Sequence, residues 1–270
     1  CLLALMEDEE QRKVAQRLFD NRLEEVTGPL KGHSLGNLIT ARLDYIYKGQ
    51  DRGVDAEIKL FRIKAKVLPA TLTNVELIAE TASGLKVTGE TNIDYRVKDK
   101  NFDPNDKIVR IYFDSRAYSN NEVVKSIKSS DKIVFAPGDL YTSVLPHLLV
   151  EGVVEAIIKS KAKLIIVLNL ATKSGETDNF KASDYLKAFV FYLGDAKRID
   201  YLIVNDNHLE QEIVDVYKEE GQNLVEVDEE NCLKIAPNIK IVRGKISRYL
   251  KKEHLLRHDP VKLASLILDL

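Results

Sequence analysis

The stretch Lys132–Val150, KIVFAPGDLYTSVLPHLLV, decides the fold. A short apolar run, Ile133-Val134-Phe135, ends in Ala136-Pro137-Gly138-Asp139. Leu140, Val144 and Leu148 then recur at helical spacing, which predicts a helix over 139–150. Strand, tight loop and helix in this order are the unit of an open α/β sheet. In such sheets ligands gather outside the carboxyl ends of the strands. Free N–H groups at a helix start attract anions, phosphate above all. Gly138 has no Cβ to keep a ligand away, and Thr142 and Ser143 bring hydroxyls. The plainer reading of the same residues is an ordinary turn with Asp139 as N-cap.

Downstream the pattern repeats. Strands are expected at 164–168, 201–204, 224–227 and 239–242, and helices at 153–160, 183–193, 208–220 and 261–268. Fully apolar strands, each followed by a helix, predict a parallel sheet with helices on both faces. Upstream, 4–19 and 51–63 read as helices, and Ser34 as the N-cap of a helix through Ile39, Leu43 and Ile46. From Lys64 to about residue 115 the pattern alternates instead. Val67–Pro69, Val75–Ala79, Leu85–Thr88 and Ile108–Phe113 form a smaller β-rich insert within a single domain spanning 1–270. A short helix is expected over 121–129.

Composition bounds the function. The 270 residues carry 40 basic and 42 acidic side chains, a net charge of −2, with no basic face of the kind nucleic acid needs. No apolar run reaches the roughly 18 residues of a membrane span. The opening Cys1–Met6 is too short for a signal peptide. The two cysteines, Cys1 and Cys232, make neither a disulfide framework nor a zinc pattern, so a cytoplasmic location is expected. The chain opens without Met, in what reads as the middle of a helix, as if a preceding segment were missing.

Three strands end in polar loops: Ala136–Asp139, Asn169–Thr177 and Val204–Asn207. In a doubly wound sheet these ends lie side by side. Asn169, Thr172, Glu176, Thr177 and Asn205 would there offer donors and acceptors to a base or sugar. Alternatively each Asn caps its own turn. Gly32-His33-Ser34, entering a helix, is a second candidate for an anion, or else a helix start with a solvated histidine. Arg257 could clamp a phosphate with its planar fork, or pair with a carboxylate. No paired His or Cys spacing suggests a metal, and no Ser-His-Asp arrangement can be proposed; no catalytic residue is assigned.

In order along the chain, Gly32–Leu38 (GHSLGNL), Val67–Thr71 (VLPAT), Pro137–Ser143 (PGDLYTS), Gly175–Asp178 (GETD), Tyr217–Gly221 and Arg257–Pro260 (RHDP) resemble the YvcK proteins, or gluconeogenesis factors. These belong to the superfamily of CofD, the 2-phospho-L-lactate transferase of deazaflavin coenzyme synthesis. The resemblance implies a Rossmann-like domain in a cytoplasmic bacterial protein that binds UDP-N-acetylglucosamine or UDP-glucose. It also implies links to gluconeogenic growth, cell shape and cell-wall synthesis enzymes, and no established catalysis; a homo-oligomer is expected. On the matching positions the ligand would meet Gly32, His33, Ser34, Asn37, Pro137, Gly138, Asp139, Tyr141, Thr142, Ser143 and Gly175. Asn169, Thr172, Glu176, Thr177 and Asn205 would read base or sugar, and Tyr217 and Arg257 would close over it. The alternative is transfer of a phospholactyl group from a guanosine diphosphate donor with magnesium, Asp139 or Glu176 assisting. The family's usual first strand, Gly-rich loop and Asp-Asp-Gly-Gly run precede the Cys-Leu-Leu-Ala-Leu that opens this chain. That departure reinforces the expectation of a missing segment, which would leave a strand edge unpaired.

Overall fold

The structure, a computed structural model, describes residues 2–251 and 253–270. It divides into two compact units, Cys1–Leu72 with Asn120–Val123, and Thr73–Ser119 with Val124–Leu270.

The first unit is helical: α1 (Glu9–Asp20), α2 (Leu35–Tyr47) and α3 (Gln50–Leu60). Asp8 caps α1 and Ser34 caps α2, each taking the N–H three residues on. Gly36 must be glycine, because a Cβ there would lie 2.5 Å from the Phe19 ring. The Val67–Pro69 strand expected here does not form. Pro69 has no N–H to give a ladder.

The second unit begins with an antiparallel sheet, β1 (Leu77–Thr81), β2 (Lys86–Thr88) and β3 (Ile108–Phe113), in the order β2-β1-β3. Helix α4 (Glu90–Asp94) lies between β2 and β3 in sequence. Two tyrosine hydroxyls fasten β3: Tyr192 accepts the Ile111 N–H at 2.6 Å, and Tyr141 donates to the Ile108 carbonyl at 3.4 Å.

Helix α5 (Asn121–Ser129) leads to the main sheet. Its strands β4 (Lys132–Phe135), β5 (Lys163–Val167), β6 (Tyr201–Asn205) and β7 (Lys240–Gly244) are all parallel and follow chain order. Between them run α6 (Pro146–Leu149), α7 (Val153–Lys159), α8 (Ala182–Leu193), α9 (Gln211–Glu219) and α10 (Glu229–Ile235). A hairpin of β8 (Ser247–Leu250) and β9 (Leu255–His258) precedes α11 (Pro260–Leu268). Ile165, Val167 and Ile203 pack on one face with Leu263, Leu266 and Ile267 of α11. Phe189 of α8 meets Phe135 of β4, ring centroids 5.1 Å apart, on the other. Both faces are covered, which is why β5 and β6 are apolar at successive positions instead of alternating.

Two expectations fail for local reasons. The helix over 139–150 is instead a π-turn at Leu140–Val144 followed by α6. Pro146 has no N–H for the Thr142 carbonyl, and the Val144 and Leu145 N–H groups reach back five residues, to Asp139 and Leu140. The strand expected at 224–227 is an extended connector. Val225 donates to Leu170, and Thr172 and Ala182 donate to Asn223 and Glu226, while the place beside β6 belongs to β7.

Candidate functional site

Because β4, β5 and β6 are neighbours and parallel, their carboxyl-end loops lie next to one another. Asn169 ties two of these loops together, its amide donating to the Gly138 carbonyl at 2.9 Å. Thr172 and Thr177 brace the long loop after β5. Thr172 accepts the Asn223 N–H at 2.9 Å, and Thr177 accepts from the Lys173 N–H at 2.8 Å and the Tyr185 hydroxyl at 3.0 Å. Gly175 turns the loop at φ +84°, where a Cβ would sit 2.6 Å from Val97.

The centre of the site is Glu176, whose side chain is fully buried. One carboxylate oxygen accepts the Tyr141 N–H at 3.0 Å, and the other accepts the Thr142 hydroxyl at 3.1 Å. The turn after β4 thus already holds an anion, supplied by the chain itself. Asp139 does not cap this turn. Its carboxylate lies 2.7 Å from the Lys173 ammonium, which also pairs with Asp94 and, at 3.1 Å, with Glu176. Oxygens of Asp94, Asp139 and Glu176 all come within 4.8 Å of one another. Burial, then the charges of Glu176 and Glu90, push the Asp139 carboxyl up to about 6. The ammonium 2.7 Å away pulls in the opposite direction. Gly138 is not in a left-handed conformation. A Cβ on it would meet Val144 at 3.1 Å, so its smallness serves the fold of the turn.

At the end of β6, the side-chain carbonyl oxygen of Asn205 is buried and has no hydrogen-bond partner among the described residues. A buried acceptor left unpaired costs about 1–3 kcal/mol, which a ligand donor or an ordered water would recover. His258, from β9, hydrogen-bonds the Leu168 carbonyl at 3.2 Å, and burial lowers its pKa.

The remaining expected residues have other local roles. Tyr217 is buried among Ile213 and Leu256, and its hydroxyl accepts the Leu256 N–H at 2.7 Å. Arg257 is exposed on β9, and Ser143 is exposed beyond the buried Thr142. Gly32, His33, Ser34 and Asn37 belong to the helical unit. There Ser34 takes the Asn37 N–H at 3.2 Å, and the Gly32 carbonyl accepts from Arg22 at 2.8 Å. Sequence reasoning missed Lys173 and Asp94. Lys173 sits inside the loop already singled out, but nothing marks Asp94, which only the packing of the small sheet brings there.

A model of the CofD family, described as 2-phospho-L-lactate transferase CofD, matches residues 1–246. The chain belongs to the CofD family. Among its relatives a putative gluconeogenesis factor of Thermotoga maritima is 36% identical over 269 residues, 98% of this chain and 80% of that protein. The gluconeogenesis factor of Bacillus subtilis is 34% identical over 270 residues, 100% of this chain and 80% of that one. A crystal structure of a Bacillus halodurans protein superposes at TM-score 0.87 and 33% identity, covering 99% of this chain and 81% of that chain. Within this CofD-family chain, the motifs PGDLYTS and GETD meet through Glu176, which takes both its donors from Tyr141 and Thr142.

Proposed function

We propose that this CofD-family protein binds a nucleotide sugar, UDP-N-acetylglucosamine or UDP-glucose, at the loops after β4, β5 and β6, and releases it unchanged. In this reading it is a regulatory protein of gluconeogenic growth, cell shape and cell-wall synthesis. The gluconeogenesis-factor names of its relatives support the physiological setting. The observation that carries the binding reading is the buried, unpaired carbonyl oxygen of Asn205 at the carboxyl end of a central parallel strand. An N–H of a base or a sugar hydroxyl would satisfy it. The absence of turnover is supported by Lys173. Its ammonium already pairs with Asp94, Asp139 and Glu176, the carboxylates that a metal-assisted transfer would draw upon, and occupies the place between them.

The same trio favours a second reading. Three carboxylate oxygens within 4.8 Å suit magnesium, a hard cation that prefers oxygen ligands. If Lys173 gave way, Asp94, Asp139 and Glu176 would hold the ion. Its chemistry would be to neutralise a diphosphate leaving group in phospholactyl transfer.

Calorimetric titration with UDP-N-acetylglucosamine, UDP-glucose and GDP, with and without magnesium, separates the two, the ligand being recovered and weighed by mass spectrometry. Magnesium-independent binding of an intact uridine sugar is expected. Binding confined to GDP, with magnesium-dependent conversion once a deazaflavin acceptor is added, would replace the regulator with the transferase.

A further inference from the structure

The small antiparallel sheet carries a cavity of about 660 Å³, whose lining includes no residue of the loops of the parallel sheet. That volume lies within the range of small-ligand sites. One wall is β2, the edge strand of its sheet. Thr81 donates to Leu85 and Gly89 donates to Leu77, so the odd-numbered residues of β2 face β1. The backbone groups of Lys86 and Thr88 therefore point outward. Asn92 takes the Thr88 carbonyl at 2.8 Å, which leaves the Lys86 N–H and C=O and the Thr88 N–H as open donors and acceptor.

The far wall is held by hydrogen bonds. The Arg96 guanidinium lies 5.0 Å above the Phe102 ring and donates to the Asp106 carbonyl at 2.6 Å. The Asp106 carboxylate is in turn held by the Thr81 and Ser83 hydroxyls, each at 2.7 Å. Between the walls stand Asp99 and Asp103, each spending one carboxylate oxygen on a nearby N–H, with Asn101 and Tyr95 beside them. Aromatic rings, side-chain amides, half-used carboxylates and an open strand edge together match the C–H faces and hydroxyl rims of a sugar ring. The charge pattern argues against a phosphorylated ligand. Asp99, Asp103 and Asp106 outnumber Lys86 and Arg96, and Arg96 is buried, with one N–H given to the Asp106 carbonyl and its Nε left without a partner among the described residues.

The geometry points to a second binding site here, for an uncharged monosaccharide. The test is saturation-transfer NMR on the full chain with D-glucose and with glucose 6-phosphate as probes. Saturation of D-glucose is expected, at least five-fold above that of the phosphorylated sugar, and unchanged by added UDP-N-acetylglucosamine. Val87→Trp, which fills the cavity, and Asn101→Ala, an exposed change that spares the fold, should each reduce the signal at least five-fold. An absent glucose signal, an equal signal from glucose 6-phosphate, or a signal retained in Asn101→Ala would overturn the site. Displacement of glucose by UDP-N-acetylglucosamine would overturn it too, by assigning the sugar to the parallel-sheet loops. The nucleotide-sugar reading stands or falls separately, on its own titration.

Discussion

Replacing Glu176 with Ala tests whether the turn after β4 depends on an anion supplied by the chain. The side chain is fully buried and serves two donors, the Tyr141 N–H and the Thr142 hydroxyl. Tyr141 and Thr142 are themselves buried, so neither donor can turn to water. An orphaned buried donor costs about 1–3 kcal/mol, so the pair should cost roughly 2–6 kcal/mol. Lys173 adds little to this loss, because Asp94 and Asp139 still neutralise it. Glu176→Gln keeps one carbonyl acceptor in place and should cost less than half as much. Urea denaturation is followed by near-ultraviolet circular dichroism, which reads the tyrosine environments together, and the midpoint should fall in the order wild type, Gln, Ala. A loss below about 1 kcal/mol for Glu176→Ala, or equal losses for both variants, would refute the reasoning.

Other outcomes follow from the same geometry. Gly175→Ala combines a left-handed backbone with a Cβ 2.6 Å from Val97, and should destabilise by about 2–4 kcal/mol in the same urea assay. Tyr217→Phe strands the Leu256 N–H and should cost about 1–3 kcal/mol by urea denaturation, with calorimetric nucleotide-sugar affinity unchanged. The Asp139 carboxyl, followed by carbon-13 NMR, should titrate above its ordinary 3.8, toward about 6. Between those limits the folded protein binds more protons than the unfolded chain, so this group's contribution to stability falls as pH rises through the window. Lys173→Met should move the midpoint upward.

The parallel sheet was legible because burial on both faces forces runs such as LIIV at Leu164–Val167, which no amphipathic helix of that length would carry. The helix after β4 was misjudged because Leu140, Val144 and Leu148 fit a helical period, while Pro146 and a five-residue hydrogen-bond spacing break the ladder. Leu224–Val227 looks like a strand to any periodicity argument, and only competition with β7 for the edge of β6 decides otherwise. Within the site, Asn169, Thr172, Glu176 and Thr177 could be read from their place after a strand. The sign of the helix-start electrostatics could be read as well, but not that Glu176 would satisfy it. Asp94 contributes through the fold of a distant sheet, and no local pattern encodes that.

The binding account rests on Asn205. Calorimetry of UDP-N-acetylglucosamine with wild type and Asn205→Ala tests it most directly. The account predicts at least a ten-fold loss of affinity in the variant, with folding stability equal or higher, since an unpaired buried acceptor is removed. Equal affinity in a folded Asn205→Ala protein would contradict it.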